Sequence, residues 1–466
     1  MVSDLRRDAL LELLARLRRL DRVAEPYLPG TAVAHRSALK LIVFSHRSDL
    51  RRSLGTNRFA GVMQPSLKAN RLLIGPDREG ITVTAQHEYA HYLLRNRLDV
   101  GLPVWFDEGL ASLLGAIEFE TGHARIGELP EKRMADLFVR NRPDRSRPID
   151  LQQVLKAEDV SGWPQQKLSR FYDWSWLLVH YLYFSGPGTG ASGRAPLEAY
   201  LGERDGSITG YLGLSTAGLE RALEKHLRSY RTPAKIPLPA GTIDSDAHTR
   251  CLSNLQRYLE LALASTAHNP ELALKLLEPH LTNHGSDAGL LVTLSRTYAA
   301  LDDKPTALDY AERAMSVVAA ENTTAAPDSS ANGNRTSAIV NYADLLVNDC
   351  LVTADGLCRD AWQRAVPLYR TALREDPQRI DAVFGLGLSY LHSGRPGDAV
   401  NYLKVAYQRA PWASIVNFYL GESYRMIGDT RAGTYLTNAR NWAPDAFWRK
   451  VAEAAIERIE TTPSRR

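Results

Sequence analysis

Hydrophobic and polar positions in the first 115 residues predict helices alternating with short strands. Leucines recur at helical spacing within residues 4–23. The apolar runs Leu39–Phe44 and Arg71–Gly75 have the length and turn-prone flanks of buried strands. A helix is expected from about Ile81 to Arg97, and another begins near Asp107, after a Gly/Pro break. We therefore predict an α+β N-terminal domain with a small mixed sheet.

The first helix has two interpretations. Arginines occupy the face opposite to Leu10, Leu13, Leu17 and Leu20. A basic amphipathic helix of this kind can lie on a membrane surface. It can equally bury its leucines against the first domain and leave the arginines in water, which is the interpretation we favour.

Apolar and breaker residues also mark where the N-terminal domain ends. Phe171–Phe184 has the pattern of a strongly apolar helix, and Ser185–Pro196 that of a surface loop. Thr232–Thr242 contains three prolines and a glycine, as interdomain linkers do. We predict a domain over residues 1–235, a linker over 236–250 and helical repeats over 251–466.

The C-terminal half repeats with a period of 34 residues. Ala273 and Ala307 are one period apart, and so are Ala365 and Ala399. The clearest unit carries small, aromatic and proline residues at fixed offsets: Gly387, Tyr390, Ala399, Leu403, Ala406 and Pro411. The first two recur one period later, and the other four recur with one residue removed from the turn. These offsets resemble the tetratricopeptide (TPR) family, which implies an all-α solenoid whose small residues let paired helices approach closely.

Two segments interrupt this repeat. Glu321–Thr336 has the composition of a disordered insertion, and about ten extra residues surround Cys350 and Cys358. The solenoid is expected to be bent or interrupted there.

Composition and charge exclude several classes of function. A chain of 466 residues needs two or three domains, and a net charge of +4 with no block of like charges gives no reason to invoke nucleic acid. The N-terminus has no uninterrupted apolar segment, and no window approaches a membrane span. The sequence as written predicts a soluble cytoplasmic protein. The alternative is the periplasm or cell envelope, with a start further upstream; Cys350 and Cys358 could then pair.

The stretch "HEYAH" places metal-ligand chemistry on the second helix. Residues four apart share one face of a helix, so His87 and His91 can direct both imidazoles at one metal ion. Glu88 lies beside them and can reach a water molecule at that ion. A composition count gives roughly a 2% probability of a chance HExxH in this chain.

The third ligand is not supplied by a further histidine on the same helix. Leu94 and Arg97 stand where the metzincin pattern would have glycine and histidine. The next helix instead supplies "WFDEGLA". "HEYAH" followed by "WFDEGLA" resembles the gluzincin, or peptidase MA-like, zinc metallopeptidases, most of all bacterial members joined to TPRs.

This resemblance covers about residues 35–230 and implies a zincin-like fold with one Zn²⁺ held by His87, His91 and Glu108. It also implies that Glu88 is the general base. The small residues Gly109 and Ala111 would pack against the HExxH helix. "RLLIG" (residues 71–75) would be the edge strand that holds an extended peptide. The extra strand that many relatives have before the first helix is not recognisable in the sequence.

Several other residues are open to more than one interpretation. Asp107 competes with Glu108 as ligand, but it can instead cap the helix or orient a histidine. Tyr172 is the leading candidate for stabilising the oxyanion, with His180 and Tyr181 as alternatives, and each can be a core residue. We interpret the remaining aromatic candidates as surface or packing residues: His46, His123 and Trp105.

We therefore predict a zinc metallopeptidase of gluzincin type, with an endopeptidase activity and a TPR array that recruits a substrate or protein partner. The alternative is a catalytically inactive TPR adaptor with a structural or degenerate metal-binding front domain. A weaker alternative is a membrane-surface protein anchored by its first helix.

Overall fold

The structure is a computed structural model. It describes residues 2–30, 39–64, 66–67, 70–76, 80–97, 102–128, 149–160, 162–185, 194–203, 206–230, 232–238, 251–321, 329–350, 357–443 and 446–461.

The front half contains seven described strands and nine described α-helices. In chain order they are Val2–Ser3 (β1), Arg7–Ala24 (α1), Leu39–Val43 (β2), Arg47–Leu54 (α2), Gly61–Gln64 (β3), Asn70–Ile74 (β4), Ile81–Arg95 (α3), Val104–Gly115 (α4), Glu118–Glu120 (β5), His123–Ile126 (β6), Leu151–Leu155 (α5), Gln165–Phe184 (α6), Arg194–Glu203 (α7), Ile208–Tyr211 (α8), Thr216–Ser229 (α9) and Ala234–Pro237 (β7).

In the described part of the second half the regular elements are all helices. They are Asn254–Ser265 (α10), Pro270–Leu277 (α11), Leu281–His284 (α12), Ala288–Ala300 (α13), Lys304–Glu321 (α14), Ser329–Val347 (α15), Leu357–Glu375 (α16), Ile380–His392 (α17), Pro396–Arg409 (α18), Ser414–Met426 (α19), Ala432–Asn441 (α20) and Ala446–Thr461 (α21). The predicted small mixed sheet and the predicted helical C-terminal region are confirmed.

The main sheet has four strands in the order β1-β2-β4-β3. β1, β2 and β4 are parallel, and β3 runs antiparallel to β4. The hydrophobic pattern does not predict β1, because a strand of two residues has no periodicity. Val2 and Ser3 pair with Ile42 and Val43.

Both faces of this sheet are buried, by different elements. Leu41 and Leu72 lie in one apolar cluster with Leu13 and Leu17 of α1. Alternate residues of the same strands point to the opposite face, where α2 and the repeat helix α10 cover them. Leu13, Leu17 and Leu20 of α1 are therefore core residues, as the packing interpretation predicts. Within the described residues, no helix combines the length and apolarity needed to span a bilayer.

Helix α4 packs between α3 and α6, and glycine permits its closest contact. A Cβ atom on Gly109 would lie 2.4 Å from the backbone oxygen of Ser175 in α6. The expectation that Gly109 packs against the HExxH helix is therefore wrong. The missing side chain of Gly109 leaves room for α6 instead. Gly115, at the other end of α4, is the glycine that faces α3, and a Cβ atom there would lie 3.1 Å from the Cβ of His87.

A second, antiparallel sheet extends the front region into the predicted linker. Its order is β5-β6-β7, and β7 ends at Pro237. The Leu238 N–H also donates to the Gly122 oxygen at 2.9 Å. The front region therefore continues to Leu238, past the predicted boundary at 235, because an edge strand tolerates proline. Residues 239–250 of the predicted linker lie outside the described residues.

The C-terminal region is an array of helix hairpins, as the repeat pattern predicts. The pairs α13/α14, α15/α16, α17/α18 and α19/α20 are in extensive contact. A Cβ atom on Gly387 would lie 2.8 Å from Leu403 Cγ, and one on Gly421 would lie 2.7 Å from Leu436 Cγ. The small residues thus set the spacing within each hairpin, at the same position of successive units.

The predicted disordered insertion is wrong for its second half. Residues 329–336 belong to α15, and residues 322–328 lie outside the described part. The Arg335 guanidinium holds this helix by donating to Glu375 at 2.6 Å and to the Val318 oxygen at 2.9 Å. Cys350 and Cys358, the pair considered above, are joined by a disulfide.

The contact of α4 with α6 yields a prediction for stability. Gly109→Ala should destabilise the protein by about 1–3 kcal/mol, because backbone atoms of α6 cannot move aside for a methyl group. Gly433→Ala is the matched control: no atom lies within 4 Å of its Cβ position on α20, so stability should be unchanged or slightly higher. Thermal unfolding followed by circular dichroism checks both. Equal midpoints for the two variants would contradict the packing argument.

Candidate metal centre

The HExxH segment forms part of α3, and α4 folds back beside it. The buried side chain of Gln86 fixes this pairing, since its amide donates to the backbone oxygens of Gly115 and Ile117 at 2.9 and 3.0 Å. Gly115 leaves room for His87 at the same contact. Residues 87, 91 and 108 are thereby brought to facing sides of two packed helices.

The three predicted ligands converge. His87 Nε2 and His91 Nε2 are 3.2 Å apart. Glu108 Oε2 lies 3.4 Å from His87 Nε2 and 3.5 Å from His91 Nε2. The atoms form a nearly equilateral triangle, to which each residue contributes one potential ligand atom.

This triangle fits the coordination requirements of zinc. Tetrahedral zinc with ligand bonds of about 2.0–2.1 Å places neighbouring ligand atoms about 3.3–3.4 Å apart. Glu108 Oε2 is also buried, and among the described residues no donor is in hydrogen-bonding geometry to it. A buried carboxylate oxygen without a donor is destabilising, and a cation in the centre of the triangle would satisfy it.

Asp107 orients His91. Its Oδ1 lies 2.8 Å from His91 Nδ1, so His91 donates the Nδ1 proton and keeps the Nε2 lone pair for the triangle. Of the three roles considered for Asp107, which are metal ligand, helix cap and partner of a histidine, this geometry favours the last. Its carboxylate contacts Nδ1 of His91, on the side of the ring opposite to the triangle. Burial lowers the pKa of His91, but Asp107 and Glu108 outweigh burial and raise it well above its usual value.

The same charges act on Glu108. Burial alone would raise the pKa of its carboxyl group, but His91 and His87 together hold that pKa far below its usual value. Glu108 is therefore an anion in the folded protein, as a metal ligand has to be.

Glu88 lies beside the triangle, below strand β3. A Cβ atom on Gly61 would be 2.6 Å from Glu88 Cγ and 3.0 Å from Glu88 Oε1. Burial raises the pKa of the Glu88 carboxyl group, and the neighbouring histidines only partly offset this. A raised pKa suits a carboxylate that has to accept a proton near neutral pH.

Of the three candidates for oxyanion stabilisation, only Tyr172 lies near this site. Its ring, on α6, is 6.5 Å from that of His87 in an edge-on arrangement. Burial, then Glu108 and Glu88, raises the pKa of the Tyr172 hydroxyl, so it stays protonated and can donate.

His180 and Tyr181 belong to a different cluster, so both alternatives are wrong. His180 Nε2 is 3.0 Å from the Gly127 oxygen, and His180 Nδ1 is 2.8 Å from His226 Nε2. The His180 ring therefore has no free nitrogen to offer. Tyr181 packs edge-on against His226.

The edge strand beside the site is β3 and not "RLLIG". Residues 71–74 belong to β4, which is hydrogen-bonded on both sides, to β2 and β3. Within the described residues, β3 has a strand partner on one side only. The expectation for residues 71–75 is corrected accordingly.

Sequence reasoning missed three residues at the site. Gly61 and Gly115 give no signal beyond being glycines, because the side chains that need their space are remote in sequence. Arg58 donates to the Trp163 oxygen at 2.7 Å, and its charge reaches Tyr172. Nothing in the sequence marks it.

The other candidates take the structural roles expected of them. Trp105 is buried and stacks on Tyr200. His123 lies on β6 beside Glu120. His46 is exposed, next to α2, and hydrogen-bonds to Ser45.

Comparisons with known proteins give weak structural similarity only. No family model matches the chain, and no curated protein matches it. The chain is similar to a thermophilic TPR protein from Thermus thermophilus, with a TM-score of 0.35 and 20% identity over 44% of this chain and 100% of the other. It is also similar to PilF of Pseudomonas aeruginosa, with a TM-score of 0.34 and 15% identity over 44% and 84% of the two chains.

A third similar structure is YrrB, a TPR protein described as having an unusual peptide-binding site. Its TM-score is 0.29, with 17% identity over 43% of this chain and 92% of YrrB. At these identities and scores the likeness carries no argument about ligand, partner or activity.

The geometry of the triangle yields a prediction for metal affinity. Glu108→Ala should abolish stoichiometric zinc binding, because it removes one of three ligands. Asp107→Asn should retain zinc with an affinity reduced about 10–100-fold, because the residue only orients His91. Competition with a chromogenic chelator measures both. Equal losses in the two variants would contradict this division of roles.

The buried histidine pair yields a prediction for pH dependence. Burial lowers the pKa of His180 to about 3 and that of His226 to about 4, whereas an unfolded histidine titrates near 6.5. Below about pH 6.5 only the unfolded state takes up these protons, so the pair's contribution to stability is lost as pH falls towards 4. His180→Phe/His226→Phe should flatten this slope in urea unfolding between pH 7 and 4. An unchanged slope would show that the pair is not responsible.

Proposed function

We propose that this protein is a metal-dependent hydrolase of peptide bonds, with zinc as the metal. The observation that carries the proposal is the triangle of His87, His91 and Glu108 with Glu88 beside it. The convergence of these groups on two packed helices supports the proposal. A zincin-like front domain and an endopeptidase activity are part of this proposal, since no comparison bears on either.

When bound, zinc would supply a Lewis acid that lowers the pKa of water and polarises a carbonyl group. The chain's own residues would do the rest. Glu88 accepts the proton of the attacking water and passes it to the leaving amine. The Tyr172 hydroxyl donates a hydrogen bond to the oxygen that gains negative charge. The open side of β3 offers backbone groups to an extended peptide.

An adaptor function is the second candidate. The helix-hairpin array makes up the C-terminal half of the chain, and arrays of this kind present extended surfaces to protein partners. In this interpretation the triangle holds a structural metal ion. The presence of Glu88 beside the triangle is the observation against it, because a structural site has no use for a partly buried carboxylate that is not a ligand.

The two candidates differ in what Glu88 does. Glu88→Gln should retain stoichiometric zinc, since Glu88 is not a ligand, and should lower hydrolysis of an unfolded protein at least about 100-fold. Zinc content and release of labelled fragments from casein are the measurements. Arg95→Gln, which alters a neighbouring charge on α3, is the control and should keep most of the activity. Wild-type protein that binds zinc but shows no hydrolysis above that of Glu88→Gln would favour the adaptor.

A further inference from the structure

Two cationic side chains of the front region meet at Trp163, just before α6. Arg58 Nη2 donates to the backbone oxygen of Trp163 at 2.7 Å. Lys167 Nζ, in the first turn of α6, lies 3.6 Å from the centre of the Trp163 ring. Both side chains are half-buried. We call Arg58 and Lys167 the cation pair.

A row of aromatic rings connects the cation pair with the candidate metal centre. The Trp163 ring packs edge-on against Phe171, with the ring centres 5.6 Å apart. The rings of Phe171 and Tyr172 are 6.0 Å apart, and those of Tyr172 and His87 are 6.5 Å apart. The cation pair therefore lies on the side of the metal centre that Tyr172 occupies.

The chain also brings Arg58 close to the metal centre from the other side. Arg58 is three residues before Gly61, whose Cβ position is 2.6 Å from Glu88 Cγ. Three residues of chain span at most about 11 Å, so the backbone of Arg58 lies within that distance of a residue in contact with the site. Burial raises the pKa of the Tyr172 hydroxyl, as do two carboxylates of the site, and the positive charge of Arg58 opposes them. This agrees with a guanidinium close to that hydroxyl.

Within the described residues, neither member of the cation pair forms an ion pair with a carboxylate. A guanidinium has five N–H donors, and that of Arg58 uses one of them for Trp163. The others bond to no described residue, and they are enough for a two-point contact with a carboxylate. Arg125 on β6, which is equally half-buried, instead contacts three glutamates. Arg58 is therefore a fixed guanidinium beside the site with most of its donors available.

We propose that the cation pair binds a carboxylate of the substrate close to the scissile bond, with Arg58 as the specificity-determining residue. This proposal rests on the proposed function. An extended chain covers about 3.3 Å per residue, so the carboxylate belongs to one of about three residues next to that bond. Its source is either an acidic side chain or the C-terminus of the substrate. The carboxylates of the metal centre repel such a substrate, and the cation pair offsets this repulsion where the substrate carries its charge.

A purely structural role for Arg58 leads to a different expectation. One hydrogen bond from residue 58 to the Trp163 oxygen is enough to tie the segment before β3 to the segment before α6. A neutral amide can form that bond, whereas binding of a carboxylate needs the positive charge. Arg58→Gln keeps a donor for Trp163 and removes the charge, so it separates the two roles.

The experiment measures binding of labelled hexapeptides to zinc-loaded Glu88→Gln protein by fluorescence anisotropy. One set has blocked ends and a single glutamate, placed at each position in turn, and each peptide is compared with the same peptide carrying glutamine there. At the position that faces the cation pair, the glutamate peptide should bind about tenfold more tightly. A neutral hexapeptide with a free C-terminal carboxylate is compared with its amide, which tests the second source of the carboxylate.

Variants of the cation pair in the same background should change this preference. Arg58→Gln should reduce it from about tenfold to less than about twofold, and Lys167→Gln should reduce it to about threefold. Lys225→Gln is the matched control and should leave the preference unchanged. Lys225 is an exposed cation on α9 beside His226, which contacts His180 about 20 Å further along α6 from Lys167.

A charge reversal at residue 58 adds a gain that loss of folding cannot imitate. Arg58→Glu should bind the peptide with lysine at the same position more tightly than the peptide with glutamate there. Circular dichroism of each variant checks that its fold is retained.

The outcomes separate this inference from the proposed function. A carboxylate preference that is lost in Arg58→Gln supports the proposal, and the peptide set that shows it identifies the source of the carboxylate. Equal affinities for charged and neutral peptides, a preference that survives in Arg58→Gln, or no binding of any peptide would overturn it, even if the wild type hydrolyses casein. If the preference and its loss are observed but the wild type cleaves neither casein nor the peptides, the carboxylate site stands and the peptidase proposal fails.

Discussion

The close approach of α4 to α3 is the constraint on which the candidate site depends. Residue 108 reaches the two imidazoles only because Gly115 and Gln86 let the helices pack at His87. Contacts on the opposite face of α4 also hold it in place. Most of α4 is buried, and its Gly109 packs against the backbone of α6. The ligand triangle is thus held by helix packing rather than by loops, which gives it the rigidity that a preorganised site needs.

The negative charges at this site need a compensating positive charge, which a proton on His91 or a bound cation can supply. Two imidazoles and a carboxylate oxygen meet within 3.5 Å, and Glu108 is an anion there. Asp107 accepts the Nδ1 proton of His91 and so fixes the tautomer of that imidazole. Its carboxylate is a second negative charge next to His91. A metal ion that binds to Nε2 of His91 has to displace the proton on that nitrogen, so metal binding and proton release are linked at this site.

The parts of the site that could be predicted from sequence are those encoded by spacing along one helix. His87 and His91 follow from a separation of four residues, and Glu108 follows from its resemblance to a known segment. Gly109 shows the limit: the sequence marks a close contact but not which neighbouring helix makes it. The sequence also points to β4 as the edge strand, whereas the edge strand is β3. "RLLIG" is recognisable because it is continuously apolar, and a strand that is apolar on both faces belongs in the interior of a sheet. β3 is short and mixed in character, so no periodicity reveals it.

The contacts between the array and the front region could not be predicted from the sequence. Each joins residues far apart along the chain, and no local pattern shows which distant surface will cover them. The second face of the main sheet carries Ile42 and Leu73, and part of their cover is Ala264 of the first repeat helix. Lys40 on the same face pairs with Glu260 at 2.6 Å. At the other end of the array, the Arg449 guanidinium donates to the Glu158 oxygen at 3.1 Å. A front region detached from the repeats would expose an apolar sheet face to water, so hydrophobic burial itself couples the candidate site to the array.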